Sequence, residues 1–173
     1  MALINTTTTG VLGTTLYGDG QGSLTVQKDG VTIGKVAENQ TFWVYQSTAQ
    51  TLTNNSWTKV ALQSIYFNVG NAFNTSTYRY QPTVAGYYQL NGTVQAQMFA
   101  ALGIAFWKNG AGLDYGVGLG TSGQLYATTS QSKIVYLNGT TDYIEMMYYQ
   151  STGSSVTTVA VDCTFSGTLV RAE

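Results

Sequence analysis

The 173-residue chain contains no histidine. That removes the commonest general base and the commonest transition-metal ligand together, and with them Ser/His/Asp and Cys/His catalysis. A single cysteine, Cys163, rules out an intrachain disulfide, so the fold must hold without covalent cross-links. Cys163 itself reads as a small buried hydrophobe inside a strand. Charge is equally scarce: Lys, Arg, Asp and Glu make up 9% of the chain, where soluble domains carry about 25%. The net charge of -1 and the seven scattered basic residues offer nothing to a phosphate backbone, and no nucleic-acid partner is expected. No apolar run is long enough to span a membrane, and Met1-Ala2-Leu3-Ile4-Asn5 lacks the basic and apolar regions of a secretory leader. The expectation is a soluble protein made in a cytoplasm, without a membrane partner.

The eight carboxylates, Asp19, Asp29, Glu38, Asp114, Asp142, Glu145, Asp162 and Glu173, form no recognisable motif. Gly18-Asp19-Gly20-Gln21-Gly22 lacks the lysine and the following helix that make a glycine loop a phosphate cradle. No cofactor and no metal site are expected, and no catalytic residue can be named.

What the chain does contain is 43% hydrophobic residues, thirteen tyrosines and a surface stock of Thr, Ser, Asn, Gln and Gly. That is enough apolar content for one ordinary core. No segment shows helical amphipathicity, whereas short β-prone runs separated by turn signals recur along the chain: Phe42 to Tyr45, Trp57 to Ala61, Tyr87 to Met98, Gly103 to Trp107, Gln124 to Leu137, Tyr143 to Tyr149, Val156 to Val161 and Cys163 to Val170. Residues 110 to 123 read as a long glycine-rich loop. The fold class is all-β, an antiparallel jelly-roll sandwich over residues 39–173, with a short β-rich N-terminal arm over residues 1–38. In the arm, Asp29-Gly30 between two alternating runs signals a hairpin that places Leu24, Val26, Val31 and Ile33 in register. A lone hairpin is marginal in water, so these four residues are read as an anchor that docks on another subunit or a larger structure, a flexible leader being the alternative.

The most informative stretch runs from Leu62 to Gly92, LQSIYFNVGNAFNTSTYRYQPTVAGYYQLNG, with turns marked by Asn68, Gly70, Asn71 and Asn74. Leu62, Asn68, Phe73, Tyr80, Gly86, Tyr88 and Leu90 fall at the spacings of the signature of the complement 1q globular head, a family related in fold to tumour necrosis factor. The chain resembles that family again at Leu137 to Ile144, with Thr141 where the family has Gly, and at Phe165-Ser166-Gly167-x-Leu169. It departs where the family usually has Phe at Leu62, Tyr80 and Leu90, an aromatic at Gly92 and often Gly at Tyr78. The resemblance spans about residues 41 to 171 and implies a jelly-roll head that trimerises through aromatic outer faces. Some members bind calcium at the trimer apex, for which Asp114 is the one carboxylate on the expected loop; turn capping is the alternative.

Tyr143 to Tyr149 is apolar on both faces of the expected strand, so something must cover the outer one. Either a loop of the same chain does so or a second subunit does. The resemblance favours the subunit, which makes Tyr143, Met147 and Tyr149, with Tyr87, the expected trimer interface. Trp107, Tyr115 and Tyr126, beside the glycine-rich stretch, are candidates for stacking on a sugar, core or interface packing being the alternative. A head of this type, a short arm and a nearly uncharged surface look like a bacteriophage virion protein: a homotrimeric capsid decoration or tail-fibre knob, held to other virion proteins by its arm. The competing function is a carbohydrate-binding adhesin that recognises a host surface glycan; an enzyme is the third class.

Overall fold

The computed structural model describes residues 14–18, 24–28, 31–36, 40–97, 101–119 and 126–173. The chain divides into two compact units, Met1–Glu38 with Ala172–Glu173, and Asn39–Arg171. No helix among the described residues is long and apolar enough to cross a membrane.

In the first unit β1 (Thr14–Gly18), β2 (Leu24–Lys28) and β3 (Val31–Val36) form one antiparallel sheet in the order β1-β2-β3. Leu24 and Val26 lie on β2, Val31 and Ile33 on β3, with Leu24 opposite Val36 and Lys28 opposite Val31. Asp29-Gly30 lies outside the described residues. The strand β1 was not expected from the glycine-rich sequence around it. Its run of Thr, Leu and Tyr suits a pleated surface, and three paired strands lie above the two-strand minimum that is marginal in water.

The second unit is a sandwich of two antiparallel sheets. Its strands are β4 (Thr41–Tyr45), β5 (Thr51–Leu52), β6 (Thr58–Lys59), β7 (Ser64–Val69), β8 (Phe73–Asn74), β9 (Arg79–Tyr80), β10 (Gly86–Ala96), β11 (Ala101–Lys108), β12 (Ala111–Leu119), β13 (Ala127–Leu137), β14 (Ile144–Gln150), β15 (Val156–Thr157) and β16 (Thr164–Ala172). One sheet has the order β13-β10-β16-β4-β7, the other β12-β11-β14-β9-β8, with β6 also paired to β14; β15 and β5 form a small ribbon. Residues 111–119, expected as loop, are a strand. The Asn109-Gly110 turn, with φ of +54° and +82°, folds them back on β11, and their glycines serve close approach: a Cβ on Gly116 would lie 3.0 Å from Ile104 Cγ2.

Alternation sets the core. Along β10, Gly86, Tyr88, Leu90, Gly92, Val94 and Ala96 are buried and the residues between them are not. Phe42 anchors the aromatic centre, its ring centroid 4.1 Å from Tyr80, 4.8 Å from Phe165 and 5.6 Å from Phe73. The spaced residues of the 62–92 stretch have physical roles here: Leu62, Phe73, Tyr80, Tyr88 and Leu90 are buried together. Asn68 brackets the turn before β8, its amide donating to Phe73 O at 3.0 Å and its carbonyl accepting from Phe73 N at 3.1 Å. Tyr78, at the position where the resembled family often has Gly, adopts φ +55°. Gln150, fully buried, is satisfied within the chain, donating to Leu52 O at 3.1 Å and Ser154 O at 2.9 Å. Cys163 is buried in this core, its thiol pushed up to about 11 by desolvation, which leaves it unreactive.

Candidate functional site

The two sheets turn very different outer faces to solvent. On β4, Phe42 and Val44 point into the core, which sends Trp43 and Tyr45 outward. Cross-strand partners share a face, so Trp43 stands beside Ser166 on one side and Phe67 on the other. A bulge at Trp43/Val44 inserts Tyr66 as an extra residue on β7, and its ring packs 4.3 Å from Trp43 and 4.4 Å from Tyr45. An aromatic strip, Phe67, Trp43, Tyr66 and Tyr45, therefore borders the five-stranded sheet. Trp43 is 41% exposed, and Tyr66, Phe67 and Val69 are also exposed.

Across the same face, β10 and β13 present a ladder of uncharged groups. Gln89 donates to Ser132 Oγ at 2.7 Å, Gln95 to Thr128 Oγ1 at 2.9 Å, and Thr93 and Ser130 hydroxyls lie 3.1 Å apart. Tyr87 and Tyr136 close the ladder with ring centroids 5.5 Å apart, beside exposed Ile134. Between strip and ladder lies a shallow depression of about 270 Å3 lined by Trp43, Phe67, Asn91, Ser166, Gly167 and Thr168. The five strands contain two charged residues, Lys133 and Arg171. Lys133 stands opposite buried Leu90, on the inward side, and pairs with Asp114 across the sandwich edge; Arg171 is near the end of β16. The outward face has none.

The other sheet covers the β14 part of its outer face from within the chain. Glu145, 4% exposed, accepts from Lys59 Nζ at 2.5 Å and Arg79 Nε at 2.8 Å. Burial works against its charge, but the hydrogen bonds from Lys59 and Arg79 outweigh it and hold the carboxyl below its ordinary value. The Arg79 guanidinium also sits 4.0 Å above the Tyr143 ring. Met147 is 7% exposed and paired to Lys59 of β6, while Trp57, just before β6, packs 5.4 Å from Tyr149, 6.4 Å from Trp107 and 5.1 Å from Tyr115.

These positions redistribute the expected site residues. Of Tyr143, Met147, Tyr149 and Tyr87, only Tyr87 lies on the open, uncharged face. Met147, expected to be covered by a second subunit, is already buried within its own chain, beside Lys59 of β6. Trp107 and Tyr115 are brought together with Trp57; Tyr126 is exposed at the start of β13 and is not in that cluster. Asp114 is on β12, not a loop, and is engaged by Lys133 and by Gln131 Nε2 at 2.6 Å. Among the described residues no three of Cys, Asp and Glu gather as a metal site. Trp43, Tyr66, Phe67 and Trp57 were not singled out from sequence; the alternation in Phe42-Trp43-Val44-Tyr45 already held the signal for Trp43.

At the far end of the head Asp142 secures two turns. It accepts from Lys108 Nζ at 2.8 Å, Asn109 Nδ2 at 2.7 Å and Asn138 N at 3.0 Å, and these contacts overcome burial to keep its carboxyl low. Its place corresponds to the Asp of the family-like segment from Leu137 to Ile144.

The head is similar to solved structures. The globular domain of zebrafish complement 1qA superposes with a TM-score of 0.58 at 13% identity, over 78% of this chain and 99% of that one. The head has the complement 1q/tumour necrosis factor fold. Murine APRIL matches with a TM-score of 0.60 at 12% identity, over 76% of this chain and 99% of its own. Eiger TNF from S. frugiperda matches at 0.57 and 6% identity, over 79% and 95%. No family model and no curated protein matches the sequence.

Proposed function

We propose that the chain is a non-enzymatic virion structural protein, a homotrimeric capsid decoration or fibre knob. Residues 1–38 fasten it to other virion proteins and the jelly-roll head is displayed outward. The observation that carries the reading is the outer face of the five-stranded sheet, which exposes Trp43, Tyr66, Phe67, Tyr87, Ile134 and Tyr136 and offers no outward charge. Soluble monomers seldom leave this many large apolar side chains open on one uncharged face, and interface centres are depleted in charge and enriched in aromatics. The fold supports the same reading, because the resembled family assembles its heads as trimers. The sheet in residues 1–38 supports a separate attachment element, and the small stock of charges suits packing against other protein.

Two experiments test this. Sedimentation equilibrium of the full chain gives about three times the 18.6 kDa chain mass if the head is a trimer; a monomer at micromolar concentration contradicts it. Electron micrographs of particles assembled with residues 1–38 deleted lack the protein. Full occupancy by the truncated chain moves the docking surface onto the head.

A further inference from the structure

A trimer closed around a threefold axis has heterologous contacts: a surface on one copy meets a different surface on the next, so each chain carries both halves of the joint. The outer face of the five-stranded sheet carries two apolar patches. One is the aromatic strip of β4 and β7, with the depression lined by Trp43, Phe67, Asn91 and Ser166 at its margin. The other is at the opposite edge, where Ile134 of β13, 56% exposed, stands beside Tyr87 and Tyr136. The outer strands β13 and β7 are four strand spacings apart, about 19 Å. The stripe between the patches is polar, but its hydrogen bonds are largely internal. Gln89 donates to Ser132 Oγ, which donates to Asn91 Oδ1 at 2.9 Å, and Thr93 and Gln95 are partnered by Ser130 and Thr128. Polar groups already paired with one another cost less to take out of water than unpaired ones.

We propose that Ile134 of one copy seats in the depression beside Trp43, Phe67 and Ser166 of the next, and that this joint is repeated three times around the axis. The inference rests on the trimeric reading and names the residues that join. Three copies that turn this face toward the axis set the β13 edge of each against the β4–β7 edge of its neighbour. Size points to a side chain as the occupant: the depression, about 270 Å3, is smaller than the roughly 300–1,000 Å3 of pockets that enclose small ligands. Charge points to a second copy. Neither patch has an outward charged group, so each suits the other and neither suits a charged partner.

A disulfide that only this joint allows provides the test. Ile134→Cys and Ser166→Cys are made singly and together in the full chain; the native Cys163 is buried and does not compete. Within one chain the two positions lie on strands two spacings apart, about 10 Å, beyond the ~7 Å between Cα atoms that a disulfide spans. After mild oxidation the double variant runs as a covalent trimer on a non-reducing gel. The two single variants co-expressed give covalent dimers, and each alone stays unlinked. A protein that sediments as a trimer while its double variant stays unlinked overturns the joint and leaves the trimeric reading standing. Covalent dimers from Ile134→Cys alone overturn it as well, because they require a twofold contact. A monomer by sedimentation removes the trimeric reading and the joint with it, and leaves the depression to a different protein.

Discussion

Phe42 and Gly167 meet edge to backbone: the position a Gly167 side chain would occupy is 2.7 Å from Phe42 Cε1 and 2.8 Å from Leu90 Cδ2. The aromatic centre of the sandwich closes only because β16 has no side chain there. Gly167→Ala must displace Phe42 from its contacts with Tyr80 and Phe165, and overpacking of this kind costs about 1–3 kcal/mol. A urea midpoint unchanged in that variant contradicts the packing described.

Left-handed backbone separates two further positions. Gly139 has φ +71°, and a Cβ would fall 2.4 Å from Ala85 N, so Gly139→Ala is both strained and blocked by backbone. Its destabilisation exceeds about 1 kcal/mol. Tyr78 already tolerates φ +55°, so Tyr78→Gly relieves strain there and changes stability by less than about 1 kcal/mol. Thermal melts of the two variants check the contrast.

Acid sensitivity follows from Glu145. Its folded carboxyl is held below the ordinary 4.5, so the unfolded chain takes up the proton first as pH falls. The stabilisation is fully present above the ordinary value and is lost as pH drops through the lower, folded one. Asp142, also lowered, adds in the same direction. Glu145→Gln costs about 2 kcal/mol at pH 7, discounted for the partial exposure of Lys59 and Arg79, and flattens the acid limb of a plot of stability against pH. An acid limb of unchanged steepness in the variant counts against the triad.

Much of this architecture was legible from residue order. The β-prone runs of β10 and β13, the turns marked by Asn68, Gly70, Asn71 and Asn74, and the spaced residues from Leu62 to Leu90 follow from local rules, and they led to the all-β sandwich that the structure has. The strand β12 was misread because glycine normally marks a loop, although Leu113, Tyr115, Val117 and Leu119 alternate after a hairpin turn. The outer faces were the harder problem. Whether Met147 meets solvent depends on where Lys59 of β6 pairs, a contact across about ninety residues of sequence that no periodicity records. Trp43, Tyr66 and Phe67 become one surface only through the β4–β7 pairing and its bulge.

The most direct test of the account compares two single substitutions by sedimentation and circular dichroism. Trp43 is exposed on the uncharged face, so Trp43→Asp gives a folded chain at the 18.6 kDa monomer mass in place of the trimer. Met147 is buried within its own chain, so Met147→Asp puts a second carboxylate into the interior where it competes with Glu145 for Lys59, and costs on the order of several kcal/mol of fold stability. A Trp43→Asp protein that stays trimeric while Met147→Asp yields folded monomers contradicts the assignment and moves the assembly surface to β14.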